Sequence, residues 1–217
     1  QKVYLNSKSK AVDPLKKEEK AEFAYANFGV PGKIIERRED KDLGVVQLQF
    51  SNNVRLNLKK TDYEKDSISI GARIGSGMLS MPKDKPGLAT VASAVFTAGG
   101  LKKHSADELR RIFAGKTVSG SFTVDEDAFI YSGSTNRKDF ADALQLMTAY
   151  IVEPGYREEA LRQFQNQLDP LYTQLAHTPM GVLQDRVDRF LKSGDFRSGF
   201  PSRSEIKKRT IKEVEDW

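Results

Sequence analysis

The sequence predicts an α+β fold, with helices packed on one face of a mixed, mainly antiparallel sheet. Three observations carry that prediction. Strand-like runs come as neighbours separated by short turns, helical periodicities fall in separate blocks, and no regular β-α-β alternation links the two. The chain has 217 residues, 38% of them hydrophobic and 30% charged, which is enough to bury a sizeable core. No apolar run approaches the ~18 residues of a membrane span.

Residues 1–20 (QKVYLNSKSKAVDPLKKEEK) are polar and are expected to form a tether without the apolar core of a signal peptide. Residues 1–42 as a whole are assigned as a lead-in, ending in the turn-rich FAYANFGVPGK with Gly29, Pro31 and Gly32. A single domain is assigned to 43–217.

Strands are expected at 45–50 and 54–60 around a Ser51-Asn52-Asn53 turn, because asparagine tolerates positive φ. Val54, Leu56 and Leu58 alternate with Arg55, Asn57 and Lys59, so one face of the second strand is expected to be buried. A third strand, 67–74, alternates in the same way through Ile68, Ile70, Ala72 and Ile74. After a loop over 75–87 comes GLATVASAVFTAGG, a short helix with Leu88, Val91, Ala92 and Val95 on one face and small Thr90, Ser93, Ala94 and Thr97 on the other.

Ser105 and Glu108 make a capping box for a helix over 106–114. Strands 117–124 and 128–135 form a second hairpin across Asp125-Glu126-Asp127. A helix from Lys138 to Val152 presents Phe140, Leu144, Met147 and Ile151 as its core stripe and ends at Pro154-Gly155. The next, from about Arg157, uses Leu161, Phe164 and Leu168, with a kink or break expected at Pro170. Thr178-Pro179 is an N-cap and first-turn pair for a helix expected to pack through Leu183, Val187, Phe190 and Leu191 and to close at Gly194. Ser202 and Glu205 cap a last helix, with stripe Ile206, Thr210, Ile211 and Val214, that reaches Trp217 and suggests a domain cut at its C-terminal end.

Several function classes are disfavoured by the same residues. The net charge of +5 comes from bases interleaved with acids, as in KKEEK and RREDKD, with no basic stripe for nucleic acid. Cysteine is absent, so no thiolate can ligate a metal. His104 and His177 are far apart in sequence and are expected to be surface or capping residues. No G-x-S-x-G elbow occurs, and GARIGSG (71–77) has neither phosphate-loop nor dinucleotide spacing.

FSNNVRLNLKKTDYEKDSISIGARIGSG followed by PGLATVASAVFTAGG resembles the repeated domain of the pitrilysin/insulinase family of zinc metallopeptidases. The run from His104 to Phe164 resembles that family along its length, so the likeness covers about 43–217. FAYANFGVPGKI resembles the linker before the second half of the long bacterial members. In the catalytic copy of the repeat the helix begins G-x-A-H-x-x-E-H. Two imidazoles at i and i+4 hold zinc there and the glutamate activates its water. Laid on that motif, this chain has Thr90, Ser93 and Ala94 in place of His, Glu and His. The family's third ligand is a glutamate further along the chain; residues 160–204 contain none, and Asp169 stands nearest that spacing.

The resemblance therefore implies an inactive repeat domain from the C-terminal half of a zinc endopeptidase. Its implied role is chamber wall and closure element, with Thr90, Ser93 and Thr97 as candidate substrate-lining residues. It implies no catalytic residue and no metal ligand in this copy, zinc in the parent enzyme, and peptide substrates. The implied partner is the catalytic N-terminal half of the same chain, in the periplasm. Rival readings from the same resemblance are a non-catalytic scaffold or partner subunit, or a peptide-binding module acting through a sheet edge.

Overall fold

The computed structural model describes residues 22–217; the expected tether over 1–20 lies outside the described residues. The α+β class holds, with the strands divided between two antiparallel three-stranded sheets. The first contains β1 (Ile34–Asp40), β2 (Val45–Phe50) and β3 (Arg55–Lys59) in that order. β1 thus lies in the stretch assigned to the lead-in and pairs along β2 from Ile34↔Phe50 to Asp40↔Val45. Asn53, at φ 66°, turns the chain between β2 and β3 as the sequence suggested.

Pairs Val46↔Leu58 and Leu48↔Leu56 place the apolar residues of β2 and β3 on one face. That face is not buried as expected: Val54, Leu56 and Leu58 are exposed. The alternation set the register, but the sheet's contacts run mainly among its own strands.

The second sheet has the order β4-β6-β5, from β4 (Ile68–Ile74), β5 (Ser121–Val124) and β6 (Phe129–Thr135). Ala72↔Tyr131↔Phe122 and Ile74↔Phe129↔Val124 point one way, and Arg73, Ile130, Thr123, Ser121 and Ser132 the other. One face is apolar and covered by helices, the other polar and solvated.

The covering helices are α1 (Leu88–Val95), α2 (Ala106–Ile112), α3 (Phe140–Val152), α4 (Glu158–Asn166) and α5 (Leu168–His177). They are followed by a helical stretch over 179–191, α6 (Arg203–Lys207) and α7 (Ile211–Asp216). α1 sits at the centre, against β5, α4, α6 and α7. Leu88, Val91, Ala92 and Val95 are buried there with Leu161, Leu168, Ile206, Ile211 and Val214. A second cluster joins Leu101, Leu109, Phe113, Tyr131, Leu146 and Tyr150 with Tyr25.

Helix faces depart from the expected stripes. On α3 the buried residues are Ala143, Leu146, Ala149 and Tyr150. Phe140 and Ile151, expected in the core, are exposed. The inward face pairs the small Ala143 and Ala149 with the larger Leu146 and Tyr150, which fill the space beside Tyr131 and Leu109. The stretch 179–191 starts as expected, with Thr178 Oγ1 accepting from Gly181 N–H and Pro179 in the first turn. Its middle, Leu183–Val187, is a π-helical turn. Leu183, Phe190 (82% exposed) and Leu191 (73%), expected in the core, are exposed.

The chain breaks between α4 and α5 at Gln167, and Pro170 stands in the first turn of α5, where its missing N–H costs nothing. The last helix is two helices. Thr210 and Glu213 form a further capping box that starts α7, a spacing the sequence also carries.

Candidate functional site

α1 is positioned by glycines on both sides of the loop before it. Gly87 has φ +84° and opens the helix. Gly77 has φ +51° and lies against the β5–β6 turn, where Met78 N–H donates to Asp125 O (2.9 Å) and Leu79 N–H to Glu126 O (3.0 Å). The loop is thereby fastened over the start of α1.

Thr90 and Ser93 are half-buried and line a cleft of about 520 Å³ with Met78, Leu79, Glu126 and Lys192. Ser93 is engaged: its Oγ accepts from Val124 N–H at 3.0 Å and so closes the outward edge of β5. Ala94 packs against the core around α1. Thr97 lies in a different, larger cleft of about 920 Å³ with Tyr150, Arg157, Leu109, Val118 and Gly120. The expected lining set is therefore split, with Thr90 and Ser93 in one cleft and Thr97 in the other. Replacing Ser93 by Ala leaves the buried Val124 N–H without a partner. Urea unfolding of Ser93→Ala is expected to show a loss of about 1–3 kcal/mol.

The smaller cleft is charged, and its charges are matched. Lys192 Nζ lies 3.1 Å from Glu126 and 3.4 Å from Asp188; the hydrogen bond to Glu126, then the charge of Asp188, raise its pKa. Arg197 and Asp195 pair at 2.7 Å. The hydrogen bonds from Arg197 hold the Asp195 carboxyl well below the usual carboxylate range. Mutual pairing leaves these groups as a fixed ionic wall rather than as a poised acid or base.

In the larger cleft, Tyr150 Oη donates to Thr97 O at 3.1 Å, and burial pushes its pKa up to about 12. Arg157 donates to the carbonyls of Gly99 and Lys102, tying the end of α1 to the start of α4. Behind that cleft, under Gly120, Tyr131 Oη is buried with no hydrogen-bond partner among the described residues, and burial raises its pKa. Sequence reasoning missed Tyr150 and Arg157. Neither lies in a motif: Tyr150 reaches Thr97 from the buried face of α3, and Arg157 reaches Gly99 only because the chain returns after Pro154-Gly155.

The donor set at the motif positions does not suit zinc. A threonine hydroxyl, a serine hydroxyl already accepting a backbone hydrogen bond, and a methyl group supply no imidazole and no carboxylate. Among the described residues no three His, Cys, Asp or Glu side chains gather as a metal site. Asp169 is exposed on α5 and pairs with Arg203 at 2.7 Å. His177 ends α5, with Nδ1 2.7 Å from Thr173 O. His104 corrects an expectation: it is 7% exposed, not a surface residue, because residues 22–25 fold over it.

No protein-family model matches the sequence, and no curated protein matches it. Solved structures do. One is a mutant of the ferredoxin protease FusC in complex with Arabidopsis ferredoxin, with TM-score 0.70 and 20% identity over 99% of this chain and 24% of that one. A second is the periplasmic protease PqqL from Escherichia coli, with TM-score 0.67 and 20% identity over 92% of this chain and 22% of that one. The first half of PqqL alone gives TM-score 0.64 and 14% identity over 82% of this chain and 39% of that one. The chain spans about a quarter of the length of FusC and of PqqL. At these identities the likeness establishes a shared fold. Among the described residues no helix is long and apolar enough to cross a membrane.

Proposed function

We propose that this chain is a non-catalytic repeat domain of a zinc-dependent endopeptidase of the pitrilysin/insulinase type. It serves as wall and closure element of the chamber in which a parent chain cuts peptides. The observation that carries the reading is the coincidence of two things. The fold matches a quarter-length portion of two proteases over nearly all of this chain, and the helix at the family's zinc position bears Thr90, Ser93 and Ala94.

A place in the second half of the parent is supported by the PqqL matches. The full-length chain is more similar than its first half alone in identity, coverage and TM-score. The match to the first half fits a unit that recurs along such chains. In this reading the catalytic first half holds the zinc, the substrates are peptides, and the compartment is the periplasm, as for PqqL. Closing two halves around a substrate excludes water and commits the substrate to reaction. A wall of internally paired charges such as Glu126–Lys192–Asp188 suits a surface that contacts substrate without reacting with it.

Calorimetric titration of the 217-residue chain with zinc is the direct test. The expected result is no stoichiometric binding at submicromolar affinity. A one-to-one submicromolar site that is lost in Ser93→Ala or Thr90→Val would overturn the assignment.

A further inference from the structure

We infer that His104 is a proton-sensitive latch that holds residues 22–25 on the helical layer: the neutral imidazole docks the segment, and a protonated one releases it. The inference goes beyond the peptidase reading and does not depend on it.

The geometry is specific. Ala24 N–H donates to His104 Nε2 at 2.9 Å, across 80 residues of sequence. The Phe23 ring stacks on the imidazole at 5.8 Å and 20°, and Tyr25 meets it edge-on at 6.0 Å and 73°. Phe23 also packs edge-on against Phe113 at 5.0 Å. Tyr25 is buried, and its hydroxyl accepts from Lys103 N–H at 3.0 Å. Two aromatic residues are thus seated around one ring nitrogen that must act as an acceptor.

An imidazole accepts a hydrogen bond only at an unprotonated nitrogen. Adding a proton at Nε2 sets a donor against the Ala24 donor and places a charge beneath a buried aromatic segment, which costs free energy unless the group moves out to water. The surrounding charges are of both signs. From α2, the Glu108 carboxylate interacts with His104. It is held below its usual range chiefly by the Ser105 backbone N–H, and Arg111 also acts on it. From the loop before α2, the Lys103 ammonium sits 5.3 Å over the Tyr25 ring. Glu153 and Arg157 act on the Tyr25 hydroxyl, and Lys116 lies over Phe113. Glu108 stabilises an imidazolium once formed, so protonation is accessible, and the lost acceptor is what it breaks.

The sign follows. The docked state requires the neutral ring, so docking is at full strength above the ordinary imidazole range and fades as pH falls through it. A proton taken up by the undocked ring and refused by the docked one weakens docking by roughly tenfold for each pH unit below the imidazole range.

Hydrogen exchange on the 217-residue chain tests this. Protection of the Ala24 amide is read at pH 7.5 and 5.5 and corrected for intrinsic rate, with α3 amides as the control for global stability. The expected result is a protection loss of about tenfold at the lower pH for the Ala24 amide, with α3 unchanged. His104→Gln keeps a neutral acceptor and is expected to lose the pH dependence while retaining protection. His104→Phe keeps an aromatic ring without an acceptor and is expected to be unprotected at both pH values. Equal protection at the two pH values in the unmodified chain would overturn the latch. So would a persistent pH-dependent loss in His104→Gln.

Discussion

Replacing Leu88 by alanine is expected to lower the unfolding free energy by about 2–5 kcal/mol. Leu88 is wholly buried at the first turn of α1, among the residues that α4, α6 and α7 bring to that helix. The removed methyl groups lose their transfer free energy, and the cavity collapses only partly because α1 is held by neighbours on several sides. Urea unfolding measures the effect as a lower midpoint with an unchanged slope, since the surface exposed on unfolding stays the same. A change below about 1 kcal/mol would mean that α1 is not the centre of the core.

Gly77→Ala is expected to cost about 2–4 kcal/mol and to open the smaller cleft. Gly77 has φ +51°, and a Cβ there would collide with the Asp125 carbonyl and with the Ala128 backbone. Two terms therefore add: the strain of a left-handed conformation for an L residue and a backbone clash that no rotamer relieves. The loop must lift from the β5–β6 turn, breaking the Met78–Asp125 and Leu79–Glu126 hydrogen bonds. Thermal unfolding reports the cost. Faster hydrogen exchange of the Met78 and Leu79 amides, with α3 amides unaffected, reports the local opening. Gly194→Ala has positive φ but nothing near the added Cβ, so it isolates the strain term and is expected to cost much less.

Local chemistry was well read from the sequence. Hydrogen bonds between residues three apart need no tertiary partner, so the capping boxes at Ser105–Glu108 and Ser202–Glu205 and the Thr178 cap are where the residues said they would be. The Asn53 turn follows for the same reason, its N–H donating to Phe50 O at 2.9 Å. At the candidate site, the sequence identified the helix and its small face, Thr90, Ser93, Ala94 and Thr97. It did not show that Ser93 is held by β5 while Thr97 belongs to another cleft, because Val124 and Tyr150 reach α1 only through the fold.

The amino-acid pattern by itself determined most of the helices and strands and the helix starts marked by Ser105, Thr178 and Ser202, though not β1 or the separate start of α7, and that α1 carries no zinc-ligating side chain at the positions the resemblance marks. Those properties depend on residue type and on spacings of a few residues. Tertiary structure alone decided which apolar face of each element is buried. α3 turns Ala143 and Ala149 inward with Leu146 and Tyr150 and leaves Phe140 and Ile151 out, the apolar side of β3 stays exposed among the described residues, and Phe23 and Tyr25 close over His104. Periodicity records that an element has an apolar face. Burial depends on whether a partner of complementary shape can approach that face, and a partner distant in sequence leaves no trace in the periodicity of the element it covers.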